Sequence, residues 1–322
     1  MIKDNLNHIQ VPISSSLIEE NNLNNVHLEE KRNSLCDKGD QNTLPFFMDE
    51  NNPNMRELMD FMSYPFFSLS KNKMTKIIFK YQEVEIKIVA PSEIGIATVY
   101  DLDFLIWLTS QISQLLNKGI TPPRTIRIRP SSFFKDTGRI RSGKEYKSFS
   151  ATLVRLKSTT ILTNIKAGNL IYYKGFSWIN DFEIVKDENE KVLGVKIELS
   201  EWFYRRCAKD KAYLAIDPAY FSLSSGIDRW LYGLARKHCG NNDIWSFSIQ
   251  GLFKRYPNQN RNIRFFKRDL LSAVKKNKLP EYILEQGIGE NGKDTIYFAP
   301  RKGLQLSRKL PRDMKHLAAD LS

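Results

Sequence analysis

The stretch Gly138-Arg139-Ile140-Arg141-Ser142-Gly143-Lys144-Glu145 comes within one residue of a phosphate-binding loop. Such a loop cradles nucleotide phosphates in backbone N–H groups and needs Ser or Thr after its lysine to hold Mg²⁺. Glu145 stands in that place, where a carboxylate repels phosphate, and no strand pattern feeds the turn. We read it as the lead-in to a helix. Gly287-Ile288-Gly289-Glu290-Asn291-Gly292 has the spacing of a dinucleotide-binding turn. A strand pattern, Thr295–Phe298, follows where a helix N-terminus is required, so it reads as a hairpin.

Nucleophile and metal chemistry find little support. His8, His27, His238 and His316 are far apart, and no HxH, HExxH, GxSxG or paired-cysteine motif occurs. His238 beside Cys239 reads as structural. Asp101 and Asp103 pose as paired carboxylates, yet just ahead of an amphipathic pattern they read as cap and first-turn residues. No catalytic residue, metal ligand or cofactor is expected, and neither is an enzyme.

Charge carries more information. The 322 residues hold 49 Lys and Arg against 36 Asp and Glu, a net charge of +13. Residues 1–60 are acidic, with 5 Lys/Arg and 11 Asp/Glu, so the excess lies in the remainder. A basic surface seeks polyanions. The excess concentrates in two helical patterns. In the first, Tyr146, Phe149, Leu153 and Leu156 share one face, and Lys144, Lys147, Ala151 and Arg155 the other, with Lys157 at the end. In the second, Ile263, Phe266, Leu270 and Ala273/Val274 form the apolar stripe, opposite Arg261, Arg264, Arg268, Ser272 and Lys275. Lys267 belongs to the same helix, and Lys254 and Arg255 precede it. These eleven basic residues, Lys144 to Lys275, are the candidate DNA contacts. Arginine grips phosphate or the guanine edge in a bidentate fork, whereas flanking cations such as Lys254, Arg255, Arg127 and Arg129 meet phosphate.

The elements that must position these helices follow from periodicity. A helix is expected at Asn54–Met62 and a hairpin at Ile77–Val89 around Gln82-Glu83. The spacing of Leu105, Leu108, Ile112, Leu115 and Leu116 predicts a helix ended by Gly119. A short helix at Ser132–Lys135, the basic helix Glu145–Ser158, and β-rich runs at Thr159–Ile165, Leu170–Ile179 and Val192–Leu199 follow. The order then returns: helix at Ile227–His238 capped by Gly240, short helix at Ser248–Tyr256, basic helix at Arg261–Asn277, and a hairpin across Gly287–Gly292. Helix, helix, helix, hairpin is the order of a winged helix-turn-helix. The expected fold is α+β: a mostly disordered acidic arm (1–60), a first winged-helix domain (61–210), a second (211–300) and a basic tail (301–322). MIKDNLNHIQ lacks the apolar core of a secretory signal, and runs such as Phe104–Leu108 are too short for a membrane span. Three cysteines, Cys36, Cys207 and Cys239, form no disulfide framework, so a cytoplasmic protein is expected.

Several stretches carry a resemblance. Gly143-Lys144-Glu145-Tyr146, then Arg155 to Ile161 and Thr163-Asn164-Ile165, resemble the plasmid replication initiator protein A family. So do Pro65 to Leu69, Gly95 to Asp101, and most specifically Arg229-Trp230-Leu231-Tyr232-Gly233-Leu234-Ala235-Arg236-Lys237-His238-Cys239-Gly240. The likeness runs from about residue 60 to 300. It implies a plasmid- or phage-borne initiator of tandem winged helices that binds repeated sites in double-stranded origin DNA and helps open the duplex. It also implies recruitment of host replication initiator and helicase-loading proteins, with self-repression as an accompanying feature. Apart from the resemblance, the aromatic and aliphatic residues on several sides of Ile227–His238 (Trp230, Leu231, Leu234) read first as core and second as a homodimer contact. A transcriptional repressor of the same fold is the alternative that the residues leave open. An ATPase or nickase stands behind it.

Overall fold

The computed structural model describes residues 46–48, 52–165, 174–240, 242, 244–257, 262–289 and 292–301. The arm before residue 46, the tail beyond 301 and Arg261 lie outside them. Alternation of apolar and charged residues makes the first long strands: β3 (Lys76–Tyr81) and β4 (Val84–Val89) form the expected hairpin, with Ile77, Phe79, Ile86 and Ile88 turned inward. Ahead of it lie β1 (Phe46–Met48), β2 (Arg56–Leu58) and the short α1 (Met59–Ser63). The anticipated helix at Asn54–Met62 is therefore half strand. Residues 52–60 also belong to the fold rather than to an arm, because Met55, Glu57, Leu58 and Asp60 are buried.

The first half then builds α2 (Leu102–Asn117), β5 (Thr125–Ile128), α3 (Pro130–Asp136) and α4 (Gly143–Ser158). Proline opens α3 at the position where its missing N–H costs nothing. Ser142 caps α4, its hydroxyl accepting from Glu145 N at 3.3 Å. After α4 come β6 (Thr160–Thr163), β7 (Lys174–Phe176), and the hairpin β8 (Ile179–Lys186) with β9 (Val192–Leu199). Asp187 folds that hairpin's turn by accepting from the backbone N–H of Asn189 and Lys191, each at 2.9 Å. β5 joins the hairpin edge in the order β1-β5-β9-β8.

A connector of α5 (Glu201–Tyr204), a π-helical turn (Arg205–Lys209), β10 (Tyr213–Ala215) and a 3₁₀ turn (Pro218–Ser222) leads to the second half. That half repeats the order: α6 (Gly226–His238), β11 (Trp245–Ser248), α7 (Ile249–Arg255), α8 (Ile263–Lys276), β12 (Tyr282–Ile288) and β13 (Asp294–Pro300). Its sheet runs β11-β13-β12, matching β5-β9-β8 of the first half. One insertion distinguishes the first half. β6 and β7 interrupt the path from α4 to its hairpin, and with β3 and β4 they form a separate sheet, β3-β4-β6-β7.

Aromatic rings fill the centre. Phe61, Phe66, Phe67, Trp178, Trp202 and Phe203 meet mostly edge to face, for example Phe61 to Trp178 at 5.2 Å. A second knot, Phe104, Trp107, Phe133, Phe134 and Phe149, sits under α4, and a third, Trp230, Phe253, Tyr256 and Phe266, sits under α8. No described helix is long and apolar enough to cross a membrane.

Candidate nucleic-acid interface

Helical spacing puts Phe149, Thr152, Leu153 and Leu156 of α4 inward and leaves Lys144, Lys147, Ser148 and Val154 exposed. Arg155 departs from the sequence expectation. It lies on the flank of the helix and clamps the buried Asp101, donating from Nε to Oδ2 at 2.8 Å and from Nη2 to Oδ1 at 2.6 Å. Thr152 adds a third bond to Oδ1 at 2.7 Å. A bidentate pair against a buried carboxylate holds the guanidinium away from an outside ligand. Asp101 holds the N-cap position of α2 read from the sequence, with Asp103 in the first turn. Its carboxylate makes no capping hydrogen bond to α2 and instead accepts from Thr98 N at 2.8 Å. Lys157 is exposed and pairs with Asp181 at the start of the β8–β9 hairpin.

On α8 the core side is Phe266, Leu270 and Ala273, and Arg264, Phe265, Arg268, Ser272 and Lys275 are exposed. Asn262 caps the helix, its Oδ1 accepting from Arg264 N at 2.9 Å. Arg268 is open to solvent, with Nε against the neighbouring Asp269 at 3.0 Å. Lys267 pairs with Asp294 at 2.5 Å and so ties α8 to its hairpin. Ile263, expected in the apolar stripe, lies at the helix start and is 40 % exposed. Lys254 is exposed at the end of α7. Arg255 is half-buried between rings, 4.5 Å from the Tyr81 centroid and 5.0 Å from that of Phe247. Arg127 and Arg129 on and beside β5 are half-buried. The structure thus brings Lys144 and Lys147 together on one helix face and Arg264, Arg268 and Lys275 on another. It assigns Arg155 and Arg255 to packing within the fold.

Val154 and Phe265 escape a search for charge because they are apolar. The signal for Phe265 is its neighbour: two consecutive phenylalanines on a helix cannot both face one core.

The turn Gly138–Ser142 follows α3, not a strand, and Glu145 pairs with Arg139 across it at 3.5 Å. His238 stacks on Trp245 at 5.7 Å. Burial, then Lys237 and Arg255, lowers its pKa to about 4. Cys239 is buried, its Sγ 3.4 Å from Asn242 O. Among the described residues no three His, Cys, Asp or Glu side chains gather as a metal site.

The halves are joined through polar groups as well as rings. Arg229 of α6 reaches Asp103 of α2 and Val99 O, and Tyr100 Oη donates to Ser224 O at 2.8 Å. Two like α+β halves, each presenting a basic helix and locked in one frame, define the class. Solved structures share this fold: domains 2 and 3 of RctB as a selenomethionine derivative (TM-score 0.55, 14 % identity, 75 % of this chain and 98 % of that one). A second structure of RctB domains 2–3 gives 0.50, at 13 % identity over 75 % and 96 % of the two chains.

The Replication initiator protein A family matches residues 56–284, and the chain belongs to it. A protein of Wigglesworthia glossinidia brevipalpis that carries a provisional name as a replication protein is 33 % identical over 282 residues, 86 % of this chain and 100 % of that one.

Proposed function

We propose that this initiator binds repeated sites at its replicon's origin as a tandem winged-helix protein, with α4 and α8 each laid in a major groove. The observation that carries the reading is the recurrence, inside a replication-initiator chain, of one order: helix, strand, helix, capped basic helix, hairpin. The hairpins β8–β9 and β12–β13 are the wings and meet backbone or minor groove. Grooves on one face of a duplex recur every ~34 Å, which is the spacing the two helices must match. Binding energy spent on bending or unwinding, easiest at TA-type steps, then opens the duplex without nucleotide hydrolysis. Host replication proteins are recruited to the opened site, and binding at its own promoter represses the gene.

Footprinting of the purified protein on its own replicon tests this. Protected repeats are expected, and their length reports whether one or two protomers bind. A replicon that persists after deletion of the gene would leave only the repressor reading. Supercoiled origin DNA with Mg²⁺ and ATP should give neither nicked product nor ATP turnover.

A further inference from the structure

Each of the two proposed reading helices exposes an apolar side chain amid its charges. On α8 the Phe265 ring is 51 % exposed, although Phe266 beside it is fully buried among aromatic rings. Phe265 shares the outward face with Arg264, Arg268 and Ser272, and the Arg268 guanidinium lies 5.4 Å from its centroid. On α4, Val154 is 37 % exposed, one helical turn beyond Ala151 and two beyond Lys147. Half-exposed phenylalanine loses free energy in water unless something covers it. The covering surface must also tolerate Arg264, Arg268 and Lys275, and so it is anionic with an apolar spot inside. The major groove of duplex DNA offers that combination: phosphates at the rim and, within it, the C5-methyl of thymine as its apolar group.

We infer that the initiator reads thymine methyl groups, with Phe265 of α8 and Val154 of α4 as the contacting side chains. This rests on the DNA reading proposed above. Arginine and lysine on the same faces set the register by gripping phosphate or base edges, and the apolar side chains distinguish thymine from cytosine at their positions. Such contacts are insensitive to salt, unlike the phosphate contacts around them.

The test uses the full chain and its own replicon DNA, amplified with either dTTP or dUTP. Uracil keeps the pairing and removes only the methyl. Binding to the uracil form should weaken about fourfold for each thymine methyl that the protein covers. The wild-type protein should show this discrimination and Phe265→Ala should show less of it, with a further fall in Phe265→Ala/Val154→Ala. Equal affinity and equal protection on the two DNAs overturns the inference while leaving the proposed function standing. No protection on either DNA overturns both. If Phe265→Ala changes the oligomeric state but not the thymine-to-uracil ratio, the ring covers a second copy of the chain and the inference fails. The swap of DNA requires no variant, so a misfolded mutant cannot obscure the result.

Discussion

Arg229 donates from Nη1 to Oδ1 of Asp103, and both side chains are buried, 4 % and 3 % exposed. The pair bridges the halves of the chain, from α6 to the first turn of α2. Tyr100 and Tyr220 flank the guanidinium with ring centroids 5.0 and 4.9 Å away. Burial raises the Asp103 pKa, opposed by Arg229 and then Arg139, whose Nη2 lies 2.8 Å from Oδ2. Buried pairs add little net stability, but losing one partner strands the other charge. Arg229→Met should therefore destabilise by about 2–4 kcal/mol, less than a full stranding because Arg139 remains. Urea denaturation measures this, and Asp103→Asn in the same chain should restore part of the loss.

Glu57 lies beside this pair and has a different consequence. Its carboxyl is buried, and Oε2 has no hydrogen-bond partner among the described residues. Burial, then repulsion from Asp103, raises its pKa from 4.5 to about 8, against the pull of Arg229. Between those values the folded chain holds a proton that the unfolded chain has released. Stability from this group is complete below pH 4.5 and falls as pH rises through 8. The slope is at most about 1.4 kcal/mol per pH unit. Glu57→Gln should flatten it, which urea midpoints at pH 6 and pH 8.5 would reveal as a gain for the variant at the higher pH.

Arg155, Lys144 and Lys147 share one basic helix but should fail differently. Arg155→Ala frees the buried Asp101 carboxylate, and because the guanidinium is partly exposed a loss of about 2–3 kcal/mol is expected. Lys144→Ala and Lys147→Ala remove exposed charge, so stability should stay within about 0.5 kcal/mol. Each should instead weaken DNA binding and lower the salt slope by about 1. Thermal denaturation and salt titration of binding, run on the same three variants, separate the two behaviours.

This contrast also marks what the sequence could disclose. The long helices α2, α4, α6 and α8 and the hairpin β3–β4 follow from periodicity within a dozen residues, and so both basic faces are legible. Arg155 is misread because its partner, Asp101, stands 54 residues away. Short β5 and β11 have no period long enough to read, and they become strands only by pairing with β9 and β13. The β3-β4-β6-β7 sheet is hidden for the same reason, since its hairpin and its insertion are separated by the whole of α2 to α4. Asn54–Met62 has a helical composition, and pairing of Arg56–Leu58 with Tyr213–Ala215 overrides it.

Two glycines offer a test of how closely the halves meet. A Cβ on Gly226 at the start of α6 would lie 2.0 Å from Leu69 O, a backbone atom. Gly226→Ala should therefore cost about 2–4 kcal/mol as α6 is pushed off the first half. Gly143 opens α4 with nothing within 4 Å of its Cβ position. Gly143→Ala should be neutral or stabilise by up to about 1 kcal/mol. Calorimetry of both variants checks the pair, and equal effects would contradict the close approach at Gly226.

The two arginines of α8 should divide from Lys267 between them. Arg264 and Arg268 are exposed at the N-terminal half of the helix, the part that meets base edges when such a helix enters a major groove. Arg268→Ala or Arg264→Ala should weaken specific binding by about 1–3 kcal/mol if the residue reads a base, and leave binding to random DNA much less changed. Lys267 is different because its ammonium is held by Asp294 at the turn end of the β12–β13 hairpin. Half-exposed as that pair is, its own worth is at most about 1 kcal/mol. Lys267→Ala should leave the specificity ratio intact and loosen the hairpin instead, visible as faster amide exchange at β12 and β13. Fluorescence anisotropy on specific and random duplexes at two salt concentrations separates the three residues. A uniform loss across all DNA for Arg264 and Arg268 alike would mean that they hold phosphate and that sequence is read elsewhere.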